Sequence, residues 1–261
     1  MTTRPYQSIL VATADGVATI TLNRPERRNA IGTVMTNELL WALEDATADE
    51  TVRSIVITGA GKAFCAGGDF AQMTGGSDAP ELPPKGDFKD LMLALFYAEK
   101  PVIARVNGHA MGGGLGIVAA STFSVAATSA KLGTPEIDVG LFPFMIYAVL
   151  ERVMTRRRLV EMMFSGGKLT AEEAAEAGLV NKAVPDDQLD EAVAGYTKLI
   201  ASKSPSTVRL GLRALRDTDG LRIADKLPIL SDALAKCLST DDAREGLTAF
   251  LQKRPPSWSG R

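Results

Sequence analysis

Histidine and cysteine are scarce in this chain of 261 residues: His109 is the one histidine, and Cys65 and Cys237 are the two cysteines. A single histidine excludes any metal site built from several histidines, and two isolated cysteines exclude a CxxC zinc pair, so we expect no metal. Two cysteines also cannot form the disulfide framework of a small secreted protein. This cysteine usage is typical of a reducing compartment, and we expect a cytoplasmic protein.

An excess of charge of one sign and a long apolar run are also missing. The 29 basic and 31 acidic side chains give a formal charge of −2, whereas nucleic-acid-binding domains are strongly basic. Residues 1–16 lack the charged segment and apolar stretch of a signal peptide. The longest stretch without Asp, Glu, Lys or Arg covers residues 106–130 but contains Asn, His, Gly, Ser and Thr, so it predicts buried interior rather than a membrane span. We expect neither nucleic acid nor a membrane as a partner.

The order of predicted elements indicates an α/β fold. Strands are predicted at residues 8–12, 17–22, 53–58, 101–106, 122–127 and 179–184, and Asp15-Gly16 predicts a hairpin turn between the first two. Helical patterns at residues 33–48 and 87–97 separate the strands, which favours parallel pairing. The segment 74–86, dense in Gly and Pro, predicts a surface loop. Nearly all of the chain after Asp186 has helical patterns, so we expect a core at residues 1–200 and a helical region at residues 201–261.

Two glycine-containing junctions follow predicted strands. Residues 107–116 (NGHAMGGGLG) and residues 62–70 (KAFCAGGDF) both place small residues where a strand ends. A helix that begins at such a junction has unsatisfied backbone N–H groups, and two junctions together could hold one oxygen as an oxyanion hole. Close helix–strand packing for the first segment and a tight turn for the second are the simpler alternatives. We interpret His109 as a packed histidine.

Glu136 lies in an otherwise apolar stretch, LGTPEIDVGLFP, at residues 132–143. A carboxyl group in such surroundings tends to have a raised pKa and can serve as a proton shuttle. An exposed carboxylate in a turn is the alternative interpretation.

Four motifs follow one another along the chain: LNRPERRNA at residues 22–30, AFCAGGD at residues 63–69, the glycine run from Asn107-Gly108 to Gly114, and Pro135-Glu136. In their order and spacing they resemble the enoyl-CoA hydratase/isomerase (crotonase) superfamily. The resemblance covers essentially the whole chain. It implies a spiral of ββα turns that binds acyl-CoA, followed by a helical C-terminal region that forms homotrimers or hexamers of two trimers. It also implies an enzyme of fatty acid metabolism, a hydratase (lyase) or isomerase, whose coenzyme A is part of the substrate and which needs no separate cofactor.

The resemblance assigns residues to roles. The backbone N–H groups of Gly68 and Gly113 would hold the thioester oxygen of an enolate, and Glu136 would be the acid/base. The substrate-binding residues would be Arg27, Ala66, Gly67, Asp69, Phe70, Gly112, Pro135 and Phe144, with the bulky Phe144 shaping the acyl pocket or packing in the core.

One position departs from the family pattern. The family's hydratases carry two glutamates, and the first of these positions falls on Gly116. Asp138 is a candidate substitute if residues 136–138 are extended, because the two carboxylates would then share a face. Asp138 could instead make a structural turn contact. Three functions stay open: hydration with Glu136 alone, a single-base isomerase that converts 3-enoyl-CoA to 2-enoyl-CoA, and a weakly catalytic or non-catalytic acyl-CoA-binding protein.

Overall fold

The computed structural model of the chain describes residues 4–69 and 80–261. It begins with the predicted hairpin, in which β1 (Ile9–Ala14) pairs antiparallel with β2 (Val17–Leu22). Asp15 and Gly16 form the turn with φ values of 50° and 76°. Two consecutive residues with positive φ give the turn a twist that matches the strands on either side.

The larger of two sheets has six strands in the order β1-β2-β3-β5-β7-β10. From β2 onward the neighbouring strands are parallel, as the alternation of strands and helices predicts. The additional strands are β3 (Ser54–Gly59), β5 (Val102–Val106), β7 (Phe123–Ala127) and β10 (Lys182–Val184). Every residue of β3 is buried, which is typical of a strand covered on both faces.

The second sheet consists of four short strands in the order β4-β6-β8-β9. They are β4 (Ala63–Cys65), β6 (His109–Met111), β8 (Lys131–Gly133) and β9 (Lys168–Thr170). Along the chain β3 is followed by β4, β5 by β6, and β7 by β8, so the backbone alternates between the two sheets. This alternation is the spiral of ββα turns that the resemblance implies.

Among the described residues, the helices of the core are α1 (Thr33–Ala48), α2 (Phe88–Phe96), α3 (Gly113–Ala120), α4 (Phe144–Leu150), α5 (Arg156–Ser165) and α6 (Ala171–Glu176). Helix α6 begins with the capping box predicted from its sequence, in which the Thr170 side chain accepts from the Glu173 N–H and Glu173 accepts from the Thr170 N–H. The charge-free segment 106–130 passes through β6, α3 and β7 and is largely buried.

Four helices form the C-terminal part: α7 (Leu189–Ala201), α8 (Pro205–Asp217), α9 (Ile223–Leu238) and α10 (Asp241–Leu251). Leu189 and Val193 of α7 pack on the face of the large sheet opposite the main core, against Val56, Ile103 and Val125. Every residue of α9 is at least partly exposed. Within the described ranges, no helix combines the length and the apolar character needed to cross a bilayer.

Two predicted elements differ from the structure. The strand expected at residues 179–184 is confined to Lys182–Val184, because the N–H of Leu179 bonds back to the Ala174 carbonyl at 2.9 Å and closes the end of α6. Residues Pro135–Val139 form a 3-10 turn rather than an extended segment.

Of the predicted loop 74–86, residues 74–79 lie outside the described residues. The part that follows is held on α1, where the Asn37 side chain accepts the Gly86 N–H at 3.0 Å.

Candidate active site

The ends of β4 and β6 meet at two glycines. The two strands are parallel neighbours, so their carboxyl ends lie at the same edge of the small sheet. A Cβ on Gly67 would lie 3.2 Å from the Met111 carbonyl oxygen and 3.7 Å from the α-carbon of Gly112. Gly67 and Gly112 have φ values of +102° and +49°, a region that side-chain-bearing residues rarely adopt. The fold therefore brings the two glycine-containing junctions of the sequence into contact.

Two backbone N–H groups at these junctions have no acceptor among the described residues. The Gly112 N–H donates to the Gly133 carbonyl at 3.0 Å. Within the described residues, no group accepts a hydrogen bond from the N–H of Gly68 or of Gly113, and both residues are half-buried. Gly113 is the first residue of α3, where a helix has no acceptor of its own for the N–H. Both donors are thus available to an oxygen of a bound molecule.

Glu136 faces this junction. The turn at residues Pro135–Val139 directs its side chain onto Gly112, and Oε1 lies 2.6 Å from the position that a Cβ on Gly112 would occupy. The other oxygen, Oε2, is buried and accepts no hydrogen bond from any described residue. Burial raises the pKa of Glu136 above its ordinary value, and the backbone hydrogen bond at Glu136 offsets only part of this effect. A carboxyl group with these properties is suited to taking up and releasing a proton.

Backbone hydrogen bonds on either side of Gly68 fix its N–H. The Ile31 N–H donates to the Gly67 carbonyl at 2.8 Å, and the Asp69 N–H donates to the Ile31 carbonyl at 2.9 Å. The Asp69 carboxylate is 6% exposed and accepts from Arg24 at 3.1 Å and from Arg27 at 3.3 Å. Asp69 therefore stabilises this junction through its two ion pairs. The Arg27 side chain is exposed to solvent beside it.

Asn29 joins the same junction to the preceding loop. It is fully buried with φ of 57°, and its side-chain NH₂ lies 2.9 Å from the carbonyls of both Ala60 and Ala63. Its Oδ1 accepts the Arg24 N–H at 2.9 Å. Sequence reasoning assigned no role to Asn29, Arg24 or Ile31. The signal for Asn29 is its type, because Asn tolerates left-handed backbone and carries both donors and an acceptor.

Gly116, which departs from the family pattern, is covered by apolar side chains. A Cβ built at position 116 would overlap Cγ2 of Ile146 in α4 and would lie 3.2 Å from Sδ of Met92 in α2. Asp138, the candidate substitute for the missing carboxylate, contacts a different glycine. It is exposed and lies against Gly166, where a Cβ would be 2.9 Å from its Oδ1, and the turn conformation keeps it away from the Glu136 face.

The other residues predicted to bind substrate are Ala66 and Pro135, which form part of the backbone of the site, and Phe144 and Phe70. The Ala66 N–H donates to the Arg28 carbonyl at 2.9 Å, and Pro135 opens the turn that carries Glu136. Phe144 is 76% exposed and stacks at an angle on Phe142 with ring centroids 5.0 Å apart, so the core-packing interpretation of Phe144 is wrong. Phe70 lies outside the described residues.

Phe88 and His109 are two further ring-bearing residues near the glycine-containing junctions. A Cβ on Gly113 would lie 3.2 Å from the ring of Phe88, a neighbour that sequence reasoning missed because no local pattern links residues 25 positions apart. His109 is exposed rather than packed, and its Nδ1 accepts the Lys131 N–H at 3.0 Å. This bond joins the first residue of β6 to the first residue of β8 and gives His109 a structural role.

The family model for enoyl-CoA hydratase/isomerase matches residues 12–261 of the chain. The chain belongs to this family. A probable enoyl-CoA hydratase of Rhizobium meliloti (strain 1021) is 34% identical over 98% of this chain and 99% of its own. A crotonyl-CoA hydratase of Syntrophomonas wolfei is 35% identical over 95% of this chain and 96% of its own. The crystal structure of an enoyl-CoA hydratase of Mycobacterium smegmatis matches with a TM-score of 0.89 and 32% identity, covering 97% of this chain and 99% of that one.

Proposed function

We propose that the protein binds an acyl-CoA thioester with its carbonyl oxygen at the N–H groups of Gly68 and Gly113. Glu136 then moves a proton next to that carbonyl. The observation that carries this proposal is the position of Glu136. Its Oε1 lies on Gly112, its buried Oε2 accepts no hydrogen bond from the described residues, and the two N–H groups beside it have no acceptor among those residues. A proton removed from the α-carbon leaves an enolate whose charge gathers on the thioester oxygen, where backbone donors stabilise it most.

The reaction that one such carboxylate supports best is isomerisation of 3-enoyl-CoA to 2-enoyl-CoA. Ionised Glu136 takes a proton from C2, and the C–H electron pair forms the enolate of the thioester. Protonated Glu136 then returns the proton to C4 as the double bond moves from C3–C4 to C2–C3. Glu136 ends in the form in which it began, and no water enters the balance.

The two positions that could supply a second carboxylate support this choice. Position 116 has no side chain and is covered by Ile146, and Asp138 lies against Gly166. Hydration of 2-enoyl-CoA by two carboxylates therefore lacks one of its partners. Losing one general acid or base typically lowers a rate by about 10²–10⁴-fold.

Hydration with Glu136 alone is the second candidate function. The relatives in Rhizobium meliloti and Syntrophomonas wolfei are named hydratases. Each aligns with nearly the whole of this chain, and this likeness supports hydration. The third candidate, binding without catalysis, follows if the missing carboxylate is required for every reaction of this site.

Parallel assays with the purified protein separate these functions. A 3-enoyl-CoA and a 2-enoyl-CoA of the same chain length are each incubated with it. The products are separated by liquid chromatography against standards, because the two enoyl-CoA isomers have the same mass, and the hydrated product is identified by mass spectrometry. We expect 2-enoyl-CoA from the first substrate and little 3-hydroxyacyl-CoA from the second. Rapid hydration would favour the second candidate, and binding of both thioesters without products would favour the third.

We also propose that coenzyme A lies beside Arg27, Ala66 and Asp69, with Phe144 near the acyl end; Phe70, the other predicted contact, lies outside the described residues. Arg27 supports this position because its guanidinium is partly exposed where it pairs with Asp69, so it can also reach a phosphate. Phe144 presents an exposed ring that an acyl chain could cover.

The proposed assembly is a homotrimer, or a hexamer of two trimers. It is supported by large apolar side chains that remain exposed on α9 and α10, namely Leu227, Leu230, Leu234, Leu238, Leu247 and Phe250. Large apolar side chains that remain exposed on two neighbouring helices are typical of an interaction surface. Light scattering at micromolar concentration tests this, and a monomeric mass would contradict it.

A further inference from the structure

We infer that Ile146 determines which reaction this site performs. It fills the space that a side chain at position 116 would enter, where the resemblance places a second acid/base, and it keeps water out of that space. The inference rests on the proposed function in one respect, because it takes the thioester carbonyl to lie at Gly113. It goes beyond that function by assigning the choice of reaction to a residue of α4 that carries no polar group.

The first step is the position of Gly116 relative to the donor Gly113. The two glycines are three residues apart in α3, so they lie on the same side of the helix about one turn apart. Phe88 and Met92 of α2, four residues apart, face these glycines in the same order. The ring of Phe88 is 3.2 Å from a Cβ on Gly113, and Sδ of Met92 is 3.2 Å from a Cβ on Gly116. A side chain at position 116 would therefore extend from the helix one turn beyond the donor that holds the carbonyl oxygen.

The second step is what occupies that direction. Ile146 is 3% exposed and Met92 is 6% exposed, and Ile146 packs on Gly116 more closely than any side chain at position 116 would allow. The missing side chain has therefore not left a cavity. The branched side chain of Ile146 in α4 fills the space, and it fits only because position 116 is a glycine.

The third step is the consequence for water. A water molecule held in a protein interior usually makes two to four hydrogen bonds to polar groups. The three atoms nearest to a Cβ at position 116 belong to Ile146 and to the thioether of Met92, which is at most a weak acceptor. These neighbours cannot orient a nucleophilic water, and we expect a proton on Glu136 to return to the substrate more often than it exchanges with solvent.

The packing of Ile146 on Gly116 indicates which substitutions would change the reaction. Gly116→Glu alone introduces a side chain into space that Ile146 occupies, so this single change should destabilise the protein without creating a working carboxylate. Removing the branched side chain at the same time makes room for it. The informative variant is therefore Gly116→Glu/Ile146→Ala, and its matched control is Gly116→Gln/Ile146→Ala, which has the same shape but cannot ionise.

The experiment measures hydration of a 2-enoyl-CoA by the full-length wild-type protein and these variants. Circular dichroism and a binding isotherm for the thioester establish that each variant is folded and competent to bind. We expect Gly116→Glu/Ile146→Ala to hydrate at least about 10²-fold faster than the Gln control, the lower end of what a general acid or base contributes. Equal rates in these two folded variants, or an equally fast Gly116→Glu single variant, would overturn the inference. Fast hydration by the wild-type protein would overturn it as well.

A second measurement does not depend on the double variant folding. Isomerisation is run in D₂O, and the deuterium content of the product reports how often water reaches the proton on Glu136. We expect little deuterium with the wild-type protein and at least a three-fold higher content with Ile146→Ala. Val149→Ala, a similar deletion one turn further along α4 at a site that is 6% exposed, should leave the content unchanged. Equal contents in Ile146→Ala and Val149→Ala would overturn the inference.

The two proposals fail in distinguishable ways. If the wild-type protein does not isomerise 3-enoyl-CoA but Gly116→Glu/Ile146→Ala gains carboxylate-dependent hydration, the proposed function is wrong and the role of Ile146 stands. If the wild-type protein isomerises and neither the hydration nor the deuterium result is obtained, the proposed function stands and the role of Ile146 is wrong.

Discussion

The carboxylate of Glu136 lies directly on the α-carbon of Gly112, with Oε1 2.6 Å from the place where a Cβ would be. Any side chain at position 112 would push the carboxylate away, and the φ of +49° independently disfavours one. Position 112 therefore requires glycine for two reasons: its backbone has a positive φ, and a side chain would displace the Glu136 carboxylate.

Gly112→Ala tests this relationship. We expect kcat to fall by about 10²-fold or more, because a displacement of about 1 Å at a reacting group is enough for such a loss. Unfolding in urea should also show a loss of about 1–3 kcal/mol for the strained backbone. Gly211→Ala is the control, because its Cβ would meet no atom within 4 Å in α8. Unchanged kcat in folded Gly112→Ala would contradict the assignment of Glu136.

Replacement of Glu136 by glutamine separates catalysis from stability. Glu136→Gln keeps the shape of the side chain but cannot carry the proton, so kcat should fall by about 10²–10⁴-fold while thioester affinity stays similar. Asp138→Asn, two residues away and against Gly166, should have much less effect. Loss of turnover in Asp138→Asn with a nearly normal Glu136→Gln would show that the wrong carboxylate was chosen.

The raised pKa of Glu136 predicts opposite effects of pH on rate and on stability. The base must be ionised, so the rate should rise with pH through a pKa above the ordinary glutamate value of 4.5. The folded protein binds this proton more tightly than the unfolded chain, so Glu136 contributes stability below pH 4.5 that is lost as pH rises through the raised pKa. Glu136→Gln should therefore gain Tm relative to the wild-type protein at pH 7 and not at pH 4. Calorimetry at the two pH values checks the sign.

The donor at Gly113 can be removed with little change of backbone direction. Proline is favourable at the first position of a helix, which Gly113 occupies in α3, and it lacks the N–H. Gly113→Pro should lower kcat by about 10²–10³-fold, the usual effect of losing one oxyanion donor. Gly113→Ala meets the same Phe88 ring through its Cβ but keeps the N–H. The comparison of the two variants isolates the hydrogen bond, and equal rates would exclude this donor.

Much of the fold could be predicted because its signals are local. The hairpin at Asp15-Gly16, the buried strands and the capping box at Thr170 depend on residues close together in the chain. The contact between Ile146 and Gly116 depends on how α4 packs on α3, and no local spacing encodes it. Phe144 and Ile146 illustrate the difficulty, because residues two apart in a helix point about 200° apart. Without knowing where α4 begins, the sequence could not decide which of them faces the site.

The Asp242 carboxylate, which is 1% exposed, holds several groups of the C-terminal segment. Its oxygens accept from the hydroxyls of Ser204 and Ser206 at 2.7 and 2.9 Å and from the N–H groups of Ser259 and Gly260 at 2.7 and 3.0 Å. Burial alone would raise the pKa of Asp242, but these hydrogen bonds prevail and lower it from 3.8 to about 2. Asp242 therefore ties the chain end to the start of α8.

Acid titration of stability tests this role. A carboxyl group whose folded pKa is lowered contributes stability above pH 3.8, and the contribution is lost as pH falls from about 4 to about 2. At about 1.4 kcal/mol per pKa unit the shift corresponds to about 2 kcal/mol. Asp242→Asn should lose about this much at pH 7 in urea unfolding and should show a flatter decline between pH 4 and pH 2. Asp241→Asn, next to it but largely exposed beside Arg244, should lose less than about 1 kcal/mol. Equal losses in the two variants would mean that the hydrogen bonds to Asp242 do not hold the C-terminal segment.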